Sequence, residues 1–219
     1  MLKMLYGAYC NKMRRLFYDR MIASYTESLY SKFLSGCSSD SSVLDIGVGN
    51  GSALCKSAEL IKERNLHIVG VDICEDSLLE CEENIRRHGL EQHVELVHGK
   101  DLEDKGYEKF DKAFLSNSYS VIDEIRDVLD VAINSTKDGQ CVIALALFDK
   151  ASRWKGFVKR NLKHILGFDC GRYITHSSLT DELSDMGLCV ISKEFSCCNS
   201  IVGVNLANIY TLSIGPIQQ

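Results

Sequence analysis

The stretch VLDIGVGNG, residues 43–51, decides the fold of this 219-residue chain. An apolar run that contains Asp45 leads directly into three glycines at alternate positions, Gly47, Gly49 and Gly51. Glycine accepts the positive φ angles of a tight turn and lets a ligand approach the backbone closely. The first N–H groups of a following helix have no partner within that helix. The stretch therefore predicts a strand, a ligand-binding turn and a helix, in that order.

Around this stretch, short apolar runs alternate with amphipathic segments of helical period, which is typical of βαβ units around a mostly parallel sheet. Residues 140–148 are nearly all apolar and predict a central strand that is buried on both faces. The last two strands have no long helix between them, which predicts an antiparallel hairpin at the sheet edge. The predicted strands are 42–46, 67–72, 93–97, 112–115, 140–148, 189–195 and 204–213, and the predicted helices are 3–35, 52–64, 76–88, 122–135, 150–166 and 177–186.

The length of the chain suits one α/β domain and leaves little for a second. We predict a single domain over residues 1–219, with a helical N-terminal cap at 1–40 and a lid on the substrate side at 150–175. The net charge is −5, although residues 1–20 and 149–172 are locally basic. An acidic body argues against binding of duplex nucleic acid, whereas the two basic segments suit an anionic surface or substrate.

The ten cysteines do not have the spacing of a disulfide or zinc framework. No C-x-x-C pair occurs, and several cysteines stand in apolar patterns, where a thiol packs as a small hydrophobe. This usage predicts a reducing compartment and no metal site. No apolar run approaches the ~18 residues of a membrane span. We predict a cytoplasmic location, with a mitochondrial or a peripheral membrane location as alternatives.

Two details of the glycine turn favour a cationic ligand over a pyrophosphate. The Asp45 carboxylate would repel phosphates and suits an amino group, and the glycine spacing is G-x-G-x-G rather than the G-x-G-x-x-G of dinucleotide folds. In these residues, and over about residues 40–150, the chain resembles class I S-adenosylmethionine (SAM) dependent methyltransferases. The resemblance implies SAM as the cofactor and a Rossmann-like, doubly wound α/β sheet of seven strands, mostly parallel with an antiparallel C-terminal strand.

Further cofactor residues follow the next strands. Asp72 ends the second predicted strand, where an acidic residue binds ribose hydroxyls in nucleotide folds, and Ile73 comes directly after it. The resemblance implies that Asp101 binds the adenine amino group and that Leu102 packs against the ring. Ser116, after the fourth strand, is a further candidate for cofactor contact.

The acceptor side is marked by aromatic residues and by a missing motif. Enzymes of this class that methylate the amines of bases carry two prolines after the fourth strand, and Ser116-Asn117-Ser118-Tyr119 has neither, so a nucleic-acid acceptor is not expected. The segment from Phe17 to Tyr25 is similar to the N-terminal helix of quinone, sterol and phospholipid methyltransferases, which closes over SAM. The resemblance makes Tyr18 a cofactor residue. The candidate substrate-binding residues are Tyr25, Tyr119, Trp154 and Tyr173.

The segment Lys150–Leu166 combines Trp154 with apolar residues at helical spacing and basic residues elsewhere. It suits either a lid helix or a peripheral contact with an anionic membrane. His98 and His176 are the histidines nearest the predicted site, and no catalytic base is assigned. The sequence thus predicts a SAM-dependent methyltransferase with a small-molecule or lipid acceptor. The alternatives are a non-catalytic subunit of the same fold and a peripheral membrane partner protein.

Overall fold

The computed structural model describes residues 26–148, 172–201 and 204–217. Their strands are β1 (Ser42–Ile46), β2 (His67–Asp72), β3 (Val94–His98), β4 (Lys112–Ser116), β5 (Cys141–Leu147), β6 (Leu188–Ile201) and β7 (Val204–Pro216). Residues 26–35 are helical and are called α1. The other helices are α2 (Ser52–Cys55), α3 (Ala58–Glu63), α4 (Glu75–His88), α5 (Ile125–Asn134) and α6 (His176–Asp185).

The seven strands form one sheet in the order β3-β2-β1-β4-β5-β7-β6. Neighbouring strands from β3 to β5 pair in parallel, and β7 is antiparallel to both β5 and β6. The predicted fold class and the C-terminal hairpin are therefore confirmed. Because the chain order reverses at β1, between β2 and β4, a crevice is expected at the carboxyl ends of these strands, where open α/β sheets bind their ligands.

Helices cover both faces of the sheet. Apolar side chains of α1, α2, α3 and α4 form one buried cluster with one face, and those of α5 and α6 form a second cluster with the other. The central strands are buried on both sides for this reason, which explains why β1 and β4 read as apolar runs rather than as alternating patterns. With both faces of the sheet covered, a ligand site is expected at the carboxyl ends of the parallel strands.

Two predicted helices differ from the observed ones. The helix predicted over 52–64 is divided into α2 and α3, because Ser57 adopts φ −95° and ψ 19° and its N–H donates to the Leu54 carbonyl only three residues back. Such a tight bond ends a short helix in a turn. The helix predicted from Ile122 begins at Ile125, because the N–H groups of Val121 and Ile122 both donate to the Ser118 carbonyl in a preceding turn. By contrast, α4 ends at Gly89 as predicted, with φ +63°.

The last two strands are longer than predicted. Backbone pairing between β6 and β7 continues past Phe195 through a polar, cysteine-containing run, with register shifts at Phe195/Cys197 and Asn199/Ser200. Main-chain hydrogen bonds do not depend on side-chain polarity, so this extension has no apolar pattern to reveal it. Among the residues that the structure describes, no helix has the length and apolar character needed to cross a membrane. The predicted lid at 150–166 lies outside the described residues.

Candidate functional site

The glycine turn after β1 is held against the end of β2. Gly47, Gly49 and Gly51 all adopt positive φ, at 83°, 59° and 68°. The N–H groups of Gly47 and Val48 both donate to the Val71 carbonyl, at 2.7 and 3.1 Å. The turn is thus fixed by main-chain hydrogen bonds at the reversal point of the sheet, and it stands between the first strand and a helix as predicted.

The three glycines serve two different purposes. A Cβ on Gly47 would stand 2.6 Å from the Ser118 Cβ, and a Cβ on Gly51 would collide with the Cys81 sulfur. These two glycines are required by the packing of the protein itself. A Cβ on Gly49 would meet no atom of the described residues within 4 Å. Gly49 therefore presents bare backbone to open space, which is what a bound ligand requires.

Asp45 is buried inside the site, with 1% of its surface exposed. Its Oδ2 accepts a hydrogen bond of 2.8 Å from the Tyr30 hydroxyl of α1, and its Oδ1 has no partner among the described residues. Burial raises the pKa of Asp45 to about 7, the hydrogen bond from Tyr30 opposes this shift, and the nearby Asp72 carboxylate adds to it. A buried acceptor without a partner costs about 1–3 kcal/mol, which is a reason to expect that a ligand supplies one.

Asp72, the last residue of β2, shapes the loop beside the turn. Its Oδ2 accepts from the Gly49 N–H and its Oδ1 from the Cys74 N–H, both at 2.9 Å. Each carboxylate oxygen has a second lone pair that can receive another donor. Ile73, directly after β2, is 82% exposed, the highest value among the exposed large apolar side chains of the described residues.

The segment after β3 lies next to Ile73. The His98 Nε2 atom contacts the Ile73 carbonyl at 3.1 Å, and a Cβ on Gly99 would stand 3.0 Å from the Ile73 Cγ2. In the short 3-10 helix that follows, Asp101 is exposed, and Leu102 is half-buried against the core. The ends of β2 and β3 therefore form one surface, with Ile73 in its floor.

The loop after β4 closes the other side of the turn. The Ser118 hydroxyl donates to the Ile46 carbonyl at 3.0 Å, and the buried Ser116 hydroxyl has no partner among the described residues. Asn117 has a φ of +59°, which is uncommon for a residue other than glycine, and its amide donates to the Thr26 hydroxyl of α1 at 3.3 Å. The loop thus ties β4 to both β1 and α1.

The structure does not bring all predicted residues together. Tyr119 is completely buried in the apolar core and has no surface exposed to a substrate in this structure. Its role as a substrate residue stays a prediction. Tyr173 is half-buried and stacks on Phe148 at 4.0 Å, near the end of β5. Tyr18, Tyr25 and Trp154 lie outside the described residues, as does the basic segment Lys150–Leu166.

Sequence reasoning missed Tyr30. It stands among Leu29, Phe33 and Leu34 in the apolar pattern of α1, where a tyrosine is indistinguishable from a core aromatic. The available signal was chemical: a buried tyrosine hydroxyl needs a hydrogen-bond partner, and the only acid within the first strand was Asp45. Within the described part of the chain, no group of three or more His, Cys, Asp or Glu residues is arranged to hold a metal ion.

Known folds with this arrangement include several methyltransferases. Mitomycin 7-O-methyltransferase MmcR superposes with a TM-score of 0.65 at 18% identity, over 93% of this chain and 57% of that one. A SAM-dependent methyltransferase from Thiobacillus denitrificans, in complex with S-adenosyl-L-homocysteine, gives a TM-score of 0.59 at 11% identity, over 88% and 91%. The cyclase SpnF gives 0.64 at 13% identity, over 87% and 82%. At these identities the similarity establishes the fold alone.

The sequence was also compared with protein families. A comparison with curated proteins found no match. The family described as a methyltransferase domain matches residues 37–175, which is more than half of the chain and includes β1 to β5. The resemblance predicted from the glycine turn is confirmed by this match. The chain therefore belongs to the family of methyltransferase domains.

Proposed function

We propose that this protein binds S-adenosyl-L-methionine at the carboxyl ends of β1, β2 and β4 and transfers its methyl group to a small-molecule acceptor. One observation carries the proposal: the turn that exposes the backbone of Gly49 directly follows a buried carboxylate, Asp45, which has one oxygen without a partner among the described residues. An anionic nucleotide tail would be repelled by Asp45 in its ionised form. A ligand with an ammonium group supplies the donor that Oδ1 lacks.

The remaining residues of the site fit the other parts of SAM. The second lone pairs of the Asp72 oxygens suit ribose hydroxyls, and the exposed Ile73 suits the face of an adenine ring. Asp101, exposed after β3, suits the exocyclic amino group, with Leu102 nearby. The Ser116 hydroxyl, buried and without a described partner, suits a polar atom near the reacting centre.

SAM supplies a methyl group on a positively charged sulfur, which a nucleophile displaces in line. The role of the chain is then to hold two reactants in alignment, which supplies a large part of the acceleration in such reactions. The two histidines nearest the predicted site are both engaged in polar contacts. The Nε2 atom of His98 contacts the Ile73 carbonyl, and the Nδ1 atom of His176 contacts the Lys193 amine at 2.8 Å. We therefore assign no general base and favour an acceptor that is already nucleophilic.

The acceptor class rests on the similar folds. One of them is named as the 7-O-methyltransferase of mitomycin, a small molecule, which supports a small-molecule acceptor here. A lipid acceptor and a peripheral contact with an anionic membrane depend on Lys150–Leu166 and remain predictions. A cytoplasmic location also remains a prediction.

Ligand binding tests the first half of the proposal. We expect S-adenosylhomocysteine to bind the wild-type protein with micromolar affinity in a calorimetric titration, and Gly49→Val to weaken binding about tenfold or more, which corresponds to about 1.4 kcal/mol. Gly139→Val is the matched control, because Gly139 has a similar φ of +64° and equally open surroundings but precedes β5 at the opposite edge of the sheet. Equal affinities in the two variants would contradict the site.

Turnover tests the second half. The protein is incubated with SAM carrying a radiolabelled methyl group, together with small phenols, amines and thiols, or with vesicles containing anionic phospholipid. We expect transfer to at least one small molecule, with one S-adenosylhomocysteine formed for each methyl transferred. Transfer to the vesicles alone would establish a lipid acceptor instead. A protein that binds no SAM would leave the non-catalytic subunit as the remaining reading.

A further inference from the structure

The N-terminal helix α1 reaches the candidate cofactor site through one residue. Tyr30 is 3% exposed, and its hydroxyl donates to Asp45 Oδ2 at 2.8 Å. Its ring meets Phe114 of β4 edge-on, with 5.3 Å between ring centroids, and Phe33, one turn further along α1, stacks on the same Phe114 ring at 4.1 Å. The tyrosine is therefore fixed by apolar packing while its polar end reaches the carboxylate.

The hydrogen bond from Tyr30 has two effects on Asp45. It occupies Oδ2, so that Oδ1 is the oxygen left for a further donor. It also stabilises the ionised carboxyl, because a hydroxyl donates more strongly to a carboxylate than to a neutral acid. Both effects favour the capture of an ammonium group.

The other groups around Asp45 oppose its ionisation. Burial raises the pKa of Asp45 most strongly, and the negative charge of a second acid, Asp72 of β2, raises it further. Cys81 of α4 also lies close to Asp45, but burial raises the pKa of its thiol, which therefore stays neutral and gives the carboxylate no stabilising charge. Among the described groups that interact with Asp45, Tyr30 alone lowers its pKa.

We propose that Tyr30 is a positioning residue of the cofactor site, which holds Asp45 in the orientation and charge state that bind the ammonium group of SAM. The proposal rests on the proposed function for the identity of the ligand. The contact between Tyr30 and Asp45 itself belongs to the free protein, and its effect on the carboxyl can be measured without any ligand.

The first experiment uses the ligand-free protein. Aspartate carboxyl groups are labelled with carbon-13, the Asp45 signal is identified by its loss in Asp45→Asn, and its titration is followed by NMR. We expect Tyr30→Phe, which keeps the ring on Phe114, to raise the titration midpoint of Asp45 by about one pH unit, since the lost bond is one to a charged group. An unchanged midpoint would overturn the proposal.

The second experiment measures the dissociation constant of S-adenosylhomocysteine between pH 6 and pH 9. We expect Tyr30→Phe to weaken binding about tenfold at pH 6, about fivefold at pH 7 and less than twofold at pH 9. The reason is that the ionised fraction of Asp45 is lower in the variant than in the wild type near and below neutral pH, whereas at pH 9 the carboxyl is ionised in both. A purely structural loss would be the same at every pH, and that result would overturn the proposal.

Tyr107→Phe is the matched control. It removes a second bond between a tyrosine hydroxyl and a carboxylate, the 2.6 Å contact with Glu95 on the exposed surface of β3. We expect no change in ligand affinity at any pH. If the wild-type protein binds no S-adenosylhomocysteine at all, the proposed function fails, whereas the carboxyl titration still decides whether Tyr30 controls Asp45.

Discussion

The carboxyl ends of β1 and β2 each carry one aspartate, and the fold treats the two carboxylates differently. Asp72 accepts hydrogen bonds from two backbone N–H groups and so shapes the loop that contains Gly49. Asp45 is almost fully buried, accepts one bond from Tyr30 and keeps an oxygen without a partner among the described residues. The aspartate of β2 therefore shapes the loop, whereas the aspartate of β1 lacks a hydrogen-bond donor. Such a difference is expected where a ligand completes the hydrogen bonding.

The largest effect should come from neutralising Asp45. Its pKa is about 7 in the folded protein and about 3.9 in an unfolded chain, so the unfolded state loses its proton first as the pH rises. Wild-type stability should therefore fall relative to Asp45→Asn between about pH 4 and pH 7, by at most roughly 4 kcal/mol, and the difference should stay constant above pH 8.

Urea unfolding of both proteins at a series of pH values measures this difference in the free energy of unfolding. The other titrating groups contribute equally to both proteins, so their contributions cancel. Asp45→Asn should also bind S-adenosylhomocysteine more weakly at pH 8, although it is the more stable protein. A variant that is neither more stable nor a weaker binder would remove the contrast between the two aspartates.

The second test concerns the turn that joins the two strand ends. Gly51→Ala should destabilise the protein by roughly 3 kcal/mol, because the added Cβ is strained at positive φ and collides with Cys81. Gly49→Ala carries only the strain of positive φ and should cost roughly 1 kcal/mol. Thermal or urea unfolding of the pair gives the difference. Equal losses would mean that Gly49 is packed as tightly as Gly51.

The third test removes the carboxylate of β2. Asp72→Ala takes the acceptor from the N–H groups of Gly49 and Cys74 and should weaken S-adenosylhomocysteine binding about 30-fold, equivalent to about 2 kcal/mol. Calorimetry at pH 8 measures it. Asp101→Ala, at an exposed position after β3, is the control on the same surface and should cost less. A larger loss of affinity in Asp101→Ala than in Asp72→Ala would assign the main polar contact to the adenine end of the site.

Much of the fold, including the glycine turn after β1, follows from local patterns. The apolar runs at residues 42–46, 67–72 and 140–148 predict strands, the last of them central, and Gly89 predicts the end of α4, because these signals depend only on neighbours in sequence. The helix break at Ser57 and the extension of β6 beyond Phe195 could not be predicted, because both depend on main-chain bonds that side-chain patterns do not report.

The sequence by itself determined which polar groups follow which strand. It places an acid and then a glycine turn at the end of the first strand, and a second acid at the end of the second strand. Only the tertiary structure decided what these groups do. It separated Gly49 from Gly47 and Gly51, because the close contacts of the latter two, with Ser118 and Cys81, join residues that are far apart in the sequence. It also brought Tyr30 to Asp45 from fifteen residues away, because burial and hydrogen bonding in a folded core are set by packing and not by sequence spacing.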